Sequence, residues 1–263
     1  MRGKAGSLAR AGTTVVSLGA RVPNPKLYLH ETIHIVGTGS EAYKRHTGTR
    51  TPSGPAGVLV GTWQQSGSTG DWPRVVNLWE MEGRKGWEKI LEHQYAGAGQ
   101  PPALARWWAE AARLRSGGFD RILEPAPYCP TRAELIRRRV RGRAFIQEIA
   151  TVVPGGADAY LEGVQAHWLP VAARRGLTLA GAWRTAMRDT EAVLLWCLPT
   201  LGDYVRHLSD FASVRETREW AVEARRWRTD YRETLLVPSP WCVMHPDWKE
   251  GGAAAGRRTT SGA

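Results

Sequence analysis

The chain has 263 residues, 42% of them hydrophobic, and 36 Lys and Arg against 25 Asp and Glu, a net charge of +11. That balance fits a soluble globule of one large or two small domains and excludes a membrane-helix bundle, since no apolar run approaches the roughly 20 residues a bilayer requires. Three cysteines (Cys129, Cys197 and Cys242) are too few and too odd in number for a disulfide framework; they fit a reducing, cytoplasmic setting and read as small buried hydrophobes.

The positive charge suggests a nucleic-acid partner until it is located. Residues 1–25 carry Arg2, Lys4, Arg10 and Arg21 and no acid. Segment 132–143 carries six arginines against Glu134, and residues 249–263 carry Lys249, Arg257 and Arg258 against Glu250. What lies between is neutral overall. A basic surface on the folded body is what counterion-driven binding needs, so the pattern argues against nucleic acid. The apolar stretch 13–20 is too diluted with polar residues for a signal-peptide core, and 1–25 and 249–263 read as disordered tails.

In chain order, residues 27–36 are rich in β-branched and aromatic side chains and predict a strand. Gly37 and Gly39 end it, and Ser40-Glu41 opens a helix that Pro52 and Pro55 close early. Strands at 57–65 and 73–81 follow as a hairpin, then helices at 84–95 and 103–115, and a short strand near 119–125. After the basic segment 131–143 the order recurs. A strand at 145–153 leads through Pro154-Gly155-Gly156 into a helix that runs to about Arg175, kinked at Pro170. Strands at 177–185 and 190–198, helices at 201–211 and 213–230, and a strand near 231–237 complete it.

The residues themselves recur. LYLHETIHIVGTGSEAY at 27–43 is answered by AFIQEIATVVPGGADAY at 144–160, an offset of 117; VLVGTWQQ by TLAGAWRT; VVNLW by AVLLW; EPAPYC by VPSPWC. The reading is a basic tail (1–25), a first unit (26–130), a basic linker (131–143), a second unit (144–248) and a tail (249–263). Each unit has the order β-α-β-β-α-β of a ferredoxin-like fold, an antiparallel sheet with helices on one face. The bare faces of two such sheets can cover each other. The expected fold is α+β: two ferredoxin-like units closing one intramolecular dimeric α/β barrel.

These residues resemble the NIPSNAP branch of the dimeric α/β-barrel superfamily. Glu31 and Glu148 match the Glu of the family's first strand, Gly39 and Gly156 its turn, Gly61-Thr62-Trp63 and Gly181-Ala182-Trp183 its Gly-aromatic second strand, and VVNLW and AVLLW its third. The first-strand Arg of the family is Ile33 and Ala150 here, and the third-strand His is Asn77 and Leu194. The resemblance implies a fold shared with cofactor-free oxygenases, polyketide cyclases, isomerases and haem proteins such as chlorite dismutase; a fold does not fix a function.

Side chains alternate along a strand, and the face carrying Glu31 and Glu148 is expected to point into the barrel. The interior is then a pocket for a small hydrophobic or aromatic molecule, with Glu31 and Glu148 as general acid–base groups and Trp63, Asn77, Trp79, Trp183 and Trp196 as ligand-binding walls. The competing role for the two carboxylates is a salt bridge to Arg184 or another basic group. Catalysis, if present, is expected to be cofactor-independent: isomerisation, cyclisation or monooxygenation. The alternatives are a non-catalytic interaction module, with its partner on the outer helices and acidic surfaces docked by the basic linker or tails, and a haem protein using His46 or His167 as axial ligand; a homo-oligomer is compatible with each. No metal-binding spacing, Walker loop, GxSxG or HExxH is present.

Overall fold

A computed structural model of the protein describes residues 23–49, 57–95 and 100–250; the expected tails, apart from 23–25 and 249–250, lie outside the described residues. The first half runs β1 (Leu27–Ile35), α1 (Ser40–Thr49), β2 (Val58–Gln65), β3 (Arg74–Met81), α2 (Gly83–Tyr95), α3 (Pro102–Ala112) and β4 (Arg115–Pro125). A short helix α4 (Arg132–Arg137) crosses to the second half. There β5 (Ala144–Val152), α5 (Ala157–Gly163), α6 (Leu169–Arg174), β6 (Thr178–Thr185), β7 (Glu191–Leu198), α7 (Leu201–Ser213), α8 (Arg215–Glu223) and β8 (Arg228–Pro238) repeat the order.

Local chemistry sets the boundaries. Reciprocal side-chain and backbone hydrogen bonds between Thr131 and Glu134 start α4, and Thr200 with Asp203 starts α7 in the same way. Between α5 and α6 the chain makes a π-turn, Val164–Trp168. Pro170 has no N–H to donate and crowds the preceding turn, so the helix loosens just ahead of it. The last strands are longer than expected, 115–125 and 228–238, because Arg115 and Arg228 continue the pairing with Ile35 and Val152 past a register shift.

All strand pairs are antiparallel and the sheet closes in the order β1-β3-β2-β8-β5-β7-β6-β4. Within each half the spatial order is that of a split βαβ unit, β4-β1-β3-β2 and β8-β5-β7-β6. The halves join where β2 meets β8 and β4 meets β6. Their registers coincide: Leu29 lies opposite Trp79 as Ile146 lies opposite Trp196, and the pairing shifts at Leu59/Gly61 as it does at Leu179/Gly181.

The barrel interior is packed solid. Tyr28 of β1 meets the edge of Trp183 at 5.4 Å, and Phe145 of β5 meets Trp63 at 5.7 Å, so each half inserts its indole against the first strand of the other. Val76, Leu78, Val193, Leu195 and Leu236 fill the remainder. The Gly-x-Trp pattern explains the fit. Residues two apart share a strand face, and each ring lies back over the glycine before it. A Cβ at Gly61 would stand 2.5 Å from Trp63, and one at Gly181 only 1.7 Å from Trp183. At the centre His30 Nε2 and Gln147 Oε1 pair at 3.0 Å across the two halves. About 10 Å³ is left, room for one water at most. The expected ligand chamber inside the barrel is therefore absent. The strands β1, β3, β5 and β7 are buried on both faces along most of their length, so alternation there showed two apolar faces without saying which one looked inward.

The Glu31 face looks outward. Ile33, Ile35 and Val75 pack with Tyr43, Trp107, Trp108 and Ala111 of the helix layer, and Ile146, Ala150, Val152, Leu194 and Trp196 pack with Tyr160, Trp168 and Trp220. Among the described residues no helix is long and apolar enough to cross a membrane, and all three cysteines are buried free thiols.

Candidate functional site

The helix-facing placement takes Glu31, Asn77 and Trp79, and Glu148 and Trp196, away from the barrel centre and puts each set under its own half's helices. Trp63 and Trp183 alone of the expected wall residues point inward, and they form the plug. The sequence-expected set thus divides into two outer sites and one core.

In the first half Glu31 is 7% exposed. Its Oε2 accepts hydrogen bonds from Asn77 Nδ2 at 3.1 Å and Trp79 Nε1 at 2.8 Å. Its cross-strand neighbours are Asn77 on β3 and Asp120 on β4. Burial raises the Glu31 pKa and the charge of Asp120 raises it further; the two hydrogen bonds and Arg115 pull the other way. Tyr43 and Thr47, one turn apart on α1, are fully buried, and Tyr43 lies close enough to this carboxylate to feel its charge. Burial, then the Glu31 charge, push the Tyr43 hydroxyl up to about 12.

In the second half the equivalent groups are closed on one another. Tyr160 donates its hydroxyl to Glu148 Oε1, Arg228 Nη1 stands 3.5 Å from the same oxygen, and Trp196 Nε1 donates to Oε2 at 3.4 Å. Burial raises the Glu148 pKa; Arg228 and the Tyr160 hydrogen bond oppose that, and the cross-strand Glu233 adds to it. Trp168 and Trp220 stack over the site, Trp168 meeting Trp196 edge-on at 6.3 Å. His207 of α7 is buried with its Nε2 3.6 Å from Glu233.

Of the salt bridge expected to Arg184 or another basic group, Glu148 forms one with Arg228; Arg184 itself pairs with Glu124 at 2.5 Å and lies 3.7 Å from Asp158. The haem candidate His46 uses Nε2 on the Trp107 carbonyl at 3.0 Å and stacks on that ring.

The residues that sequence reading missed are Tyr43 and Tyr160, Arg115 and Arg228, and Asp120 and Glu233. The two tyrosines lie 117 apart, like Glu31 and Glu148, and that shared spacing was the available signal. The two arginines, and the two acids, lie 113 apart. A four-residue length difference between the halves hides them from any comparison at one offset.

The first-half site has a further property. The hydroxyl of Tyr43 lies within reach of the Thr47 hydroxyl and the Asn77 amide, both of which act on its ionisation as hydrogen-bond partners, while Nη1 of Arg115 is enclosed with no partner among the described residues. Such an atom costs about 1–3 kcal/mol when left unpaired. In the second half Val164 stands where Thr47 does and Leu194 where Asn77 does, so those polar groups are missing there.

Elsewhere, a cleft of about 950 Å³ outside α5 and α6 is walled by Tyr128, Leu169, Pro170, Leu177 and Leu179; it has ligand size but includes neither carboxylate. Among the described residues no group of three or more His, Cys, Asp or Glu is arranged to hold a metal ion.

No family model and no curated relative matches the chain. Among solved structures it is similar to an anthrone oxidase-like protein, with a TM-score of 0.59 and 9% identity over 82% of this chain and 92% of that one. It is also similar to a candidate monooxygenase from Lactobacillus acidophilus, with a TM-score of 0.55 and 10% identity over 82% and 94%. A NIPSNAP domain protein from Burkholderia xenovorans matches at a TM-score of 0.33 and 13% identity, over 36% of this chain and 94% of that one. At the level of fold, the chain is an α+β barrel of two ferredoxin-like units closed within a single polypeptide, the architecture it shares with the anthrone oxidase-like protein and the candidate monooxygenase.

Proposed function

We propose that the protein binds a small hydrophobic or aromatic molecule beside a buried carboxylate, between sheet and helices, and moves a proton to or from it through Glu31 or Glu148. One observation carries this reading. Each half holds a buried Glu of raised pKa, and in each an indole N–H donates to it while a Tyr, an Arg and a cross-strand acid stand nearby. A carboxyl group whose ionisation is shifted toward neutral pH can both give and take a proton under working conditions. Trp79 and Trp196 orient the acid and wall the ligand, while Trp63 and Trp183 hold the barrel rigid behind it. The reaction class is a cofactor-independent isomerase, cyclase or monooxygenase acting in the cytoplasm. The names of the fold neighbours, an anthrone oxidase-like protein and a candidate monooxygenase, support that range without choosing within it.

A second reading has its own observation. Leu201, Val205 and Leu208 recur at i, i+4 and i+7 along α7 and are exposed, an apolar stripe of the kind that docks a partner or a second copy. One experiment separates the two readings. The full-length chain is titrated with a panel of flat aromatic ketones and phenols while tryptophan fluorescence and light scattering are followed. Saturable quenching that weakens in Glu31→Gln or Glu148→Gln supports the small-molecule reading. Unchanged fluorescence across the panel, with a mass that rises with concentration, supports association through α7 instead.

A further inference from the structure

We infer that the apolar cleft outside α5 and α6 is the docking site of the chain's own N-terminal segment, residues 13–20, laid along the open edge of β6 as an added strand.

The cleft, about 950 Å³, arises from a difference between the halves. In each half the second strand pairs with the other half over three residues only, 63–65 with β8 and 183–185 with β4. The rest of that edge is left to the segment that follows the last strand. After β8 that segment covers it: Ser239 N donates to Thr62 O at 3.0 Å and Val243 N donates to Val60 O at 2.9 Å. Trp241, between them, lies against Gly48 of α1, where a Cβ has no room. After β4 the matching segment begins in the same way, with Ala126 N donating to Ala182 O at 2.9 Å. Then it departs. Pro130 stands where Val243 does and has no N–H to offer the Ala180 carbonyl. Tyr128 stands where Trp241 does and sends its hydroxyl to the Leu161 carbonyl at 2.8 Å, while Gln165 stands where Gly48 does. Among the described residues, the β6 edge over 178–180 therefore has neither a strand nor a backbone donor on that side. Thr178 and Leu179 of that edge line the cleft.

Two observations assign the N-terminal segment to it. The first is where the described chain begins. Asn24 Nδ2 donates to the Cys129 carbonyl at 3.2 Å and to the Tyr28 hydroxyl at 2.9 Å. The chain thus enters the fold beside the loop whose Tyr128 and Pro130 wall the cleft. Ala20 is three residues upstream of Pro23, a reach of about 10 Å. The second is charge. Of the two charged residues on the cleft walls, Arg138 is paired with Glu134 at 2.8 Å, whereas the exposed Glu162 has no ion pair among the described residues. Residues 1–22 carry Arg2, Lys4, Arg10 and Arg21 and no acid.

The sequence of the segment suits the place. In TTVVSLGA, Thr14, Val16, Leu18 and Ala20 share one face of an extended strand, an apolar face matching Leu177 and Leu179. Strand addition supplies the edge with the N–H groups that Pro130 lacks, and side chains at alternate positions fill the cleft. Alone, the segment reads as a tail because its own residues offer it no surface to cover.

The test is amide hydrogen exchange on the full chain, read residue by residue by 15N–1H spectroscopy, in the parent and in Leu18→Asp, with Val16→Asp as second variant. In the parent, alternate amides of 13–20 should exchange at least about tenfold more slowly than in an isolated peptide of residues 11–22. Either variant should restore the peptide rate and shift the Gln165 and Leu179 signals, leaving those of α7 in place. Peptide-like exchange throughout 13–20 in the parent overturns the inference. Cleft signals that ignore both substitutions place the segment elsewhere and overturn it too. Protection that grows with protein concentration assigns the segment to a second copy and overturns docking within one chain. Anilinonaphthalene sulfonate is the probe for an outside occupant. A Leu179 shift by this dye that is equal in parent and variants shows a cleft already open, and contradicts the inference.

Discussion

Substituting Gly181 with Ala tests the packing logic that closes the barrel. The new Cβ would stand 1.7 Å from Cη2, 2.2 Å from Cζ2 and 2.5 Å from Cζ3 of Trp183, whereas ordinary contact begins near 3.4 Å. The ring must therefore move by more than 1.5 Å, judged from the 1.7 Å approach. Trp183 is 1% exposed and only about 10 Å³ is free at the barrel centre, so there is nowhere for it to go without displacing its neighbours. Overpacking costs about 1–3 kcal/mol and the lost edge contact with Tyr28 about 0.5–1.5 kcal/mol more. The sum is about 3 kcal/mol, which for a chain of this size lowers Tm by about 10 °C. Trp183→Leu alone should also destabilise, through the cavity it leaves. Combined with Gly181→Ala, however, the shorter side chain makes room for the new methyl group, so the losses should fall short of additive by at least about 1 kcal/mol. Urea or thermal denaturation of the four proteins measures this directly. Additive losses, or a Gly181→Ala cost below about 0.5 kcal/mol, would refute the claim that the glycine exists to receive the ring.

Three further outcomes follow from the electrostatics. Burial, with Arg121 nearby, lowers the His30 pKa to about 4. A base harder to protonate in the folded state loses stability as pH falls from 6.5 toward 4, about 3 kcal/mol if the whole interval is realised; His30→Gln, which copies Gln147, should flatten that part of the pH–Tm curve relative to the parent. For Glu31 the sign is opposite: its raised pKa means the ionised form costs stability increasingly as pH rises above 4.5. Glu31→Gln should thus match the parent near pH 4 and exceed it in Tm by pH 8. Glu148→Gln should behave differently, because it strands Arg228, whose side chain is 9% exposed, and removing one partner of a buried pair costs about 3–5 kcal/mol. Circular dichroism melts of the three variants across pH 4–8 check all of this, and a stabilised Glu148→Gln would contradict the account of that site.

The architecture was legible because duplicated strand patterns leave few ways to cover two bare sheet faces. Glu31 and Glu148 were legible as acids recurring within apolar strands. Their direction was not. In a barrel wrapped by helices, Leu29, Ile33 and Ile35 need burial as much as Tyr28 and Phe145 do, and period-two alternation treats the two faces alike. The discriminating signal was Gly-x-Trp: a large ring laid back over a glycine belongs where space is scarcest, which is the barrel centre. The partners of the carboxylates were hidden for another reason. Arg115, Asp120, Arg228 and Glu233 reach the site through strand pairing, and register is a property of the folded sheet. Likewise Asn77 read as a lost His, although its amide nitrogen is one of the two donors that hold Glu31.

The central claim is that the chemistry belongs to buried acids on the helix side of the sheet. Selective 13C labelling of glutamate side chains, with the carboxyl resonances of Glu31 and Glu148 identified by Gln substitution and followed through a pH titration, tests it most directly. Both should titrate above the ordinary glutamate value of about 4.3. Titration of both at or below that value would show two ordinary ionised carboxylates and contradict the account.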